Sequence, residues 1–139
     1  MIEIRLGPEQ ADFDAIHSML ANSYWSPGIS KEKIERAAEH TSLVINAYID
    51  GCQVGYARVI SDRTTFAWLA DVIVHPDFQG QGVAKAMLQA AVDDPDHQGL
   101  RRWVLATKDA HSLYEKYGFE LIPNPERWMI RLQKPPQNQ

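Results

Sequence analysis

Apolar and charged side chains alternate from Ile2 to Leu6, the period-two pattern of a strand with one buried face. Gly7-Pro8 ends that run. From Glu9 to Ser23 the period changes: Phe13, Ile16, Met19 and Leu20 fall at three- and four-residue steps, which gathers them on one side of a helix. A loop containing Tyr24-Trp25-Ser26-Pro27-Gly28 follows, then a second helix over 31–39, with Ser30 as a favourable N-cap and Ile34 with Ala37 or Ala38 as the inner face.

Three strands are predicted next. Residues 42–49 and 53–60 flank Asp50-Gly51, a pair that favours positive φ and so joins two antiparallel strands in a tight hairpin. Residues 65–74 are rich in aromatic and branched side chains. His75-Pro76-Asp77 stops them, because proline has no N–H to give a sheet ladder. Between Val83 and Val92, the apolar Val83, Ala84, Met87, Leu88 and Ala91 oppose the polar Lys85 and Gln89, the pattern of an amphipathic helix. A strand over 102–107, a short helix over 109–117 stopped by Gly118, and two closing strands over 119–122 and 127–132 complete the pattern. Antiparallel strands first and a strand-helix-strand crossover later give an α/β (α+β mixed) fold: a mixed, mostly antiparallel sheet of about seven strands with about four helices on both faces.

A chain of 139 residues suits one hydrophobic core rather than two. One domain is therefore expected over residues 1–133, with the tail at 134–139, which holds Pro135-Pro136, disordered. The net charge of -4 argues against a nucleic-acid partner, which favours a basic face. Cys52 is the only cysteine, so no internal disulfide forms and a reducing, cytoplasmic compartment is expected. No run approaches the roughly 18 apolar residues of a membrane span. His17, His40, His75, His97 and His111 lack zinc-ligand spacing, so no metal is expected.

The strongest chemical signal is Gln79-Gly80-Gln81-Gly82-Val83-Ala84, between a strand and a helix. Small residues there let backbone N–H groups approach a ligand, and the start of the helix adds unsatisfied donors at its positive end, a combination suited to a pyrophosphate. The loop is neither a Walker A sequence nor the three-glycine dinucleotide fingerprint.

Gln79, Gly82 and Ala84, preceded by Asp71-Val72-Ile73-Val74-His75-Pro76-Asp77-Phe78, resemble the acetyl-CoA signature of the GNAT superfamily of N-acetyltransferases. The downstream segment Asp109-Ala110-His111-Ser112-Leu113-Tyr114-Glu115-Lys116-Tyr117-Gly118-Phe119 is similar to a second motif of that family. The resemblance implies a sheet splayed between its fourth and fifth strands, with acetyl-CoA in the gap as cosubstrate. It implies a pantetheine arm against the backbone of Ile73 and Val74, and a pyrophosphate on the amides of Gln79, Gly80, Gln81, Gly82, Val83 and Ala84. Lys85 either reaches the phosphates or is a solvated lysine.

By the same resemblance, an amide at Ile73 or Val74 stabilises the oxyanion and Tyr114 protonates the departing thiolate. Asp71 interrupts the apolar run Trp68-Leu69-Ala70-Asp71-Val72-Ile73-Val74, where a carboxylate must be paired, solvated or shifted; it is a candidate base or a structural acid bonded to an arginine such as Arg58. His111 is the alternative base and a candidate contact of the acceptor. Tyr24 and Trp25, in the loop between the first two helices, are candidates to hold an amine, or they pack beneath the loop. The implied function is transfer of acetyl from acetyl-CoA to a primary amine of a small molecule or peptide by direct attack in a ternary complex. A non-catalytic acyl-CoA sensor of the same fold is the alternative, and both monomer and homodimer stay open.

Overall fold

Asp50 and Gly51 take φ of 49° and 78°, the two successive positive values that a tight two-residue hairpin needs. They join β2 (Leu43–Ile49) to β3 (Cys52–Ser61) in the computed structural model, which describes residues 1–133. β1 (Ile2–Leu6) lies antiparallel to β2, and β4 (Phe66–Val74) antiparallel to β3. β5 (Arg102–Val104) runs parallel to β4 at the edge of a five-stranded sheet of order β1-β2-β3-β4-β5. The helices are α1 (Phe13–Leu20), α2 (Lys31–Glu39), α3 (Val83–Asp93) and α4 (His111–Glu115). No helix among the described residues is long and apolar enough to cross a membrane.

The mixed sheet and four helices agree with the sequence pattern, and the count of about seven strands does not. Residues 119–122 and 127–132, expected as two closing strands, pair with nothing among the described residues. Pro123 and Pro125 remove two backbone donors between them, Asn124 turns left-handed at φ 57°, and a one-turn 3-10 helix occupies Pro125–Arg127. A short apolar run becomes a strand only where a neighbour takes its backbone groups. The tail expected to be disordered lies outside the described residues.

Two cores cover the two faces of the sheet. Ile16 and Leu20 of α1 and Ile34 and Ala38 of α2 pack on Val44 and Tyr56. On the other face Val83, Met87, Leu88 and Ala91 of α3, with Tyr114 of α4, pack on Ile45, Ala47, Ala57, Val59 and Leu69. Gly55 of β3 lets α3 come this close: a Cβ there would stand 2.9 Å from Val83 Cγ1 and 3.1 Å from Met87 Cε. The first turn of α3 is thereby pressed onto β3 beside the end of β4.

The connection from α3 to β5 is fastened by a buried histidine. His97 meets Asp94 Oδ2 through Nδ1 at 2.7 Å and Ser42 Oγ through Nε2 at 2.9 Å. This is a serine-histidine-aspartate line, but the Ser42 hydroxyl donates to the Val59 carbonyl at 2.7 Å, so its proton is committed to the sheet.

Candidate active site

The site begins where two strands part. β4 and β5 pair only at Phe66–Arg102, Ala67–Trp103 and Trp68–Val104, and β4 then runs on to Val74 with its outer edge free among the described residues. His75 N–H donates to Val54 C=O at 2.7 Å, and Ile73 lies opposite Tyr56. Backbone groups alternate sides along a strand, so Ile73 turns its N–H and C=O to β3 while Val74 turns its own into the gap. Of the two positions expected to meet a pantetheine or an oxyanion, Val74 presents the free main chain.

Beyond β4, a single 3-10 turn at Pro76–Phe78 leads to Gln79, Gly80, Gln81 and Gly82. Gly80 and Gly82 have φ of 79° and 86°, a region that favours glycine, and a Cβ on either would meet no atom within 4 Å. The space beside both glycines is therefore open. Side chains serve the N-termini of α1 and α2, where Asp12 accepts from Ala15 N–H and Ser30 from Lys33 N–H. Gly82, the N-cap of α3, supplies no side-chain acceptor, and the helical ladder begins with Ala86 N–H on Gly82 C=O. The N–H groups of Val83, Ala84 and Lys85 thus lack an acceptor among the described residues, at the helix end where anions are favoured. The loop fits a pyrophosphate in space and in donors. Lys85 is exposed beside it, its carbonyl accepting from Tyr117 Oη at 3.0 Å.

Tyr114 rises from α4 with only 8% of its surface exposed, its ring edge-on to Phe119 at 5.9 Å. Burial, reinforced by neighbouring Tyr24 and Asp109, pushes its phenol up to about 12. His111, one turn earlier, is exposed and lines with Tyr114 and Thr107 a cavity of about 290 Å³.

The loop between α1 and α2 reaches across this region at two points. Trp25 Nε1 donates to Asp71 Oδ1 at 2.9 Å, and Tyr24 Oη accepts from Lys108 N–H at 2.9 Å. Asp71 sits at φ 54° in a register shift between β3 and β4, and its Oδ2 accepts from Arg58 Nε at 2.8 Å. Arg58 and Asp71 side chains are each 14% exposed. The expected arginine partner is present, and the carboxylate keeps one further lone pair on each oxygen.

The sequence profile of the acetyltransferase (GNAT) family matches residues 10–119. The chain belongs to the acetyltransferase (GNAT) family. A GNAT protein of Xanthomonas campestris pv. campestris is 40% identical, with a TM-score of 0.91 over 96% of this chain and 94% of that one. An N-acetyltransferase of Porphyra purpurea is 31% identical over 71% of this chain and 60% of its own length. A rice protein named serotonin N-acetyltransferase 2, chloroplastic, is 28% identical over 91% of this chain and 65% of its own. The chain spans about three fifths of the length of the first curated relatives it matches. An aminoglycoside N-acetyltransferase in complex with CoA shares the fold, at a TM-score of 0.70 and 18% identity.

Within this GNAT domain, Trp25 meets Asp71 on β4 and Tyr24 meets Lys108 beyond β5, so the loop between α1 and α2 touches both sides of the β4–β5 gap, and the Gln79–Ala84 loop follows the end of β4. Sequence reasoning missed Tyr56. Its side chain is fully buried, its hydroxyl has no partner among the described residues, and burial holds its phenol far above the ordinary range despite Arg58. Its place beside Arg58, with the same side-chain parity on β3, was the available signal. Lys108 was missed as well, because a backbone amide leaves no mark in a sequence.

Proposed function

We propose that this GNAT domain transfers the acetyl group of acetyl-CoA to a primary amine by direct attack in a ternary complex. One observation carries the reading: the free main chain of Val74 at the end of β4 is followed, after a single loop, by the unpartnered amides of Val83, Ala84 and Lys85 at the start of α3. Bound there, acetyl-CoA supplies an activated acetyl thioester. The loop amides from Gln79 to Ala84 hold the pyrophosphate, Val74 pairs with the pantetheine as an added strand, and a β4 amide donates to the oxygen that gains charge.

Tyr114 donates its proton to the leaving sulfur. A phenol near 12 is a weak acid beside a thiol of ordinary pKa about 8.5. The burial that raises one raises the other, since both ionise to anions in the same dry place. Tyr114 therefore stays protonated throughout the working range and ready to donate.

On the acceptor side, Tyr24 and Trp25 give the amine an aromatic wall. Asp71 offers its remaining lone pairs to the ammonium and takes its proton, with His111 as the alternative base. The chain's lone cysteine, Cys52, is exposed and free, in keeping with a reducing compartment such as the cytoplasm.

The test is thiol release from acetyl-CoA against a panel holding an indole-ethylamine, a polyamine, an aminoglycoside and a peptide N-terminus. Amine-dependent release with a matching acetylated product supports transfer. Tight acetyl-CoA binding without release for any amine supports the acyl-CoA sensor instead.

A further inference from the structure

The backbone of β4 changes sides part-way along the strand. At its start Thr65 C=O accepts from Arg101 N–H at 3.0 Å, so residues 65, 67 and 69 turn their main-chain groups outward, toward β5. Unbroken alternation would turn residues 71 and 73 outward as well. Ile73 instead lies opposite Tyr56, and His75 N–H donates to Val54 C=O, so the later odd-numbered residues face β3. The change is made by a bulge. Arg58 pairs with Ala70 and Tyr56 with Ile73, which leaves Asp71 and Val72 together against Ala57. That extra residue puts the main chain of Val74, rather than that of Ile73, on the free edge.

Asp71 carries the bulge at φ 54°, a left-handed value that a residue with a side chain keeps where its surroundings enforce it. Two donors fix its carboxylate. Trp25 comes from a loop and is 40% exposed, whereas Arg58 comes from the neighbouring strand with its side chain 14% exposed. The guanidinium donates from Nε to Asp71 Oδ2 at 2.8 Å and from Nη1 to Thr41 Oγ1 at 3.0 Å. Thr41 gives its own proton to Ala37 C=O at 2.6 Å, so its oxygen is left to accept from Arg58. A planar fork engaged at both ends has little freedom to follow a moving carboxylate.

We propose that Arg58 is a positioning residue for the transfer: through Asp71 it holds the β4 bulge, and the bulge sets Val74 against the pantetheine arm. Arg58 acts through Asp71 and not on either substrate. With its grip gone, the bulge is free to migrate along β4, and the main chain at the gap loses its fixed register. The role toward the pantetheine rests on the acetyl-CoA reading of the gap, and the hold on the bulge does not.

The test uses Arg58→Lys, which keeps the charge and loses the fork, and Arg58→Gln, which loses both. Calorimetry is run with CoA and with adenosine 3′,5′-bisphosphate, a fragment that offers phosphate to the Gln79–Ala84 loop and has no pantetheine arm. The proposal expects CoA affinity to fall at least about 10-fold in both variants, as for one or two lost hydrogen bonds, and bisphosphate affinity to stay within about twofold of the parent. Amide exchange read by NMR needs no ligand: protection of Ile73 N–H is expected to fall at least about 10-fold relative to the β1–β2 ladder. If Arg58→Gln does not fold, Thr41→Val removes only the far support of the guanidinium, with an expected CoA loss of about 3-fold and the same split between ligands. Full CoA affinity in the variants overturns the proposal, whatever Ile73 does. An equal loss for both ligands overturns it too, because Arg58 is then a general prop of the fold. A parent that binds neither ligand, with Ile73 protection lost in the variants, overturns the acetyl-CoA reading and supports the hold on the bulge.

Discussion

Trp25 donates its indole N–H to Asp71 at 2.9 Å, tying the loop between α1 and α2 to the strand along which acetyl-CoA is proposed to lie. Tyr24, next in the chain and edge-on to Trp25 at 4.9 Å, fixes the same loop to Lys108 beyond β5. Trp25→Phe keeps an aromatic ring and removes the donor. A hydrogen bond to a charged group contributes roughly 1.5–3 kcal/mol. Discounted for this exposed side chain, the loss is expected to raise KM for the best amine by about 3- to 10-fold. Calorimetry with CoA is expected to show affinity within about twofold of the parent, since the indole is proposed to serve the acceptor and its one hydrogen bond goes to the Asp71 side chain.

Asp71→Asn isolates the carboxylate. It leaves the Arg58 guanidinium facing a neutral amide at a site where both side chains are 14% exposed. Removing one partner of a fully buried pair costs about 3–5 kcal/mol, and the residual solvent here brings the expectation to about 2 kcal/mol, measured by urea titration. If Asp71 also takes the ammonium proton, turnover falls more at low pH, where more amine is protonated, than at high pH. A parallel pH-rate profile assigns Asp71 to positioning alone.

Tyr114→Phe keeps the ring packed on Phe119 and deletes the hydroxyl. General acid catalysis contributes typically about 10² to 10⁴-fold, so kcat is expected to fall at least about 10-fold with KM for acetyl-CoA nearly unchanged. The raised phenol has a second consequence. Unfolded tyrosine ionises near 10 and Tyr114 in place near 12, so the folded protein binds the proton more tightly. The associated stability is complete below pH 10 and is lost as pH rises toward 12, to a total of roughly 3 kcal/mol. Chemical denaturation in that window is expected to show a shallower loss for Tyr114→Phe than for the parent.

Gly55→Ala tests how α3 is seated. The added methyl would meet Val83 at 2.9 Å and Met87 at 3.1 Å, and overpacking of this kind costs about 1–3 kcal/mol. Because the displaced turn is the one with the free amides, weaker CoA binding is expected together with the lower melting temperature. Full affinity in a destabilised variant would show that the donors tolerate movement of α3.

The elements with their own partners nearby in sequence were legible. The hairpin at Asp50-Gly51, the helix over 31–39 and α3 all carry their signal within a few residues, and the loop from Gln79 to Ala84 follows from glycines beside a helix start. The seven-strand count failed because the short apolar runs at 119–122 and 127–132 report at most a capacity to pair, while the pairing itself depends on a distant edge. Asp71 was visible as a charge in an apolar run. Its two donors, Arg58 and Trp25, lie 13 and 46 residues away, and only the folded sheet decides that both oxygens are engaged. The choice of Val74 over Ile73 as the free main chain likewise depends on register, which hydrophobic pattern alone does not set between adjacent residues.

The central claim is that acetyl-CoA is held by the backbone between Gln79 and Ala84, and titration calorimetry of Gly82→Glu with CoA tests it most directly. Gly82 is exposed, caps α3 at φ 86°, and a Cβ added there would meet no atom within 4 Å. The fold is therefore expected to persist at a local strain of about 1–2 kcal/mol. The carboxylate places a negative charge where the phosphates are to lie. The account predicts saturable CoA binding to the parent and a loss of at least about 100-fold, or about 2.7 kcal/mol, in the variant with its circular dichroism kept. Equal affinity in the two proteins would contradict it.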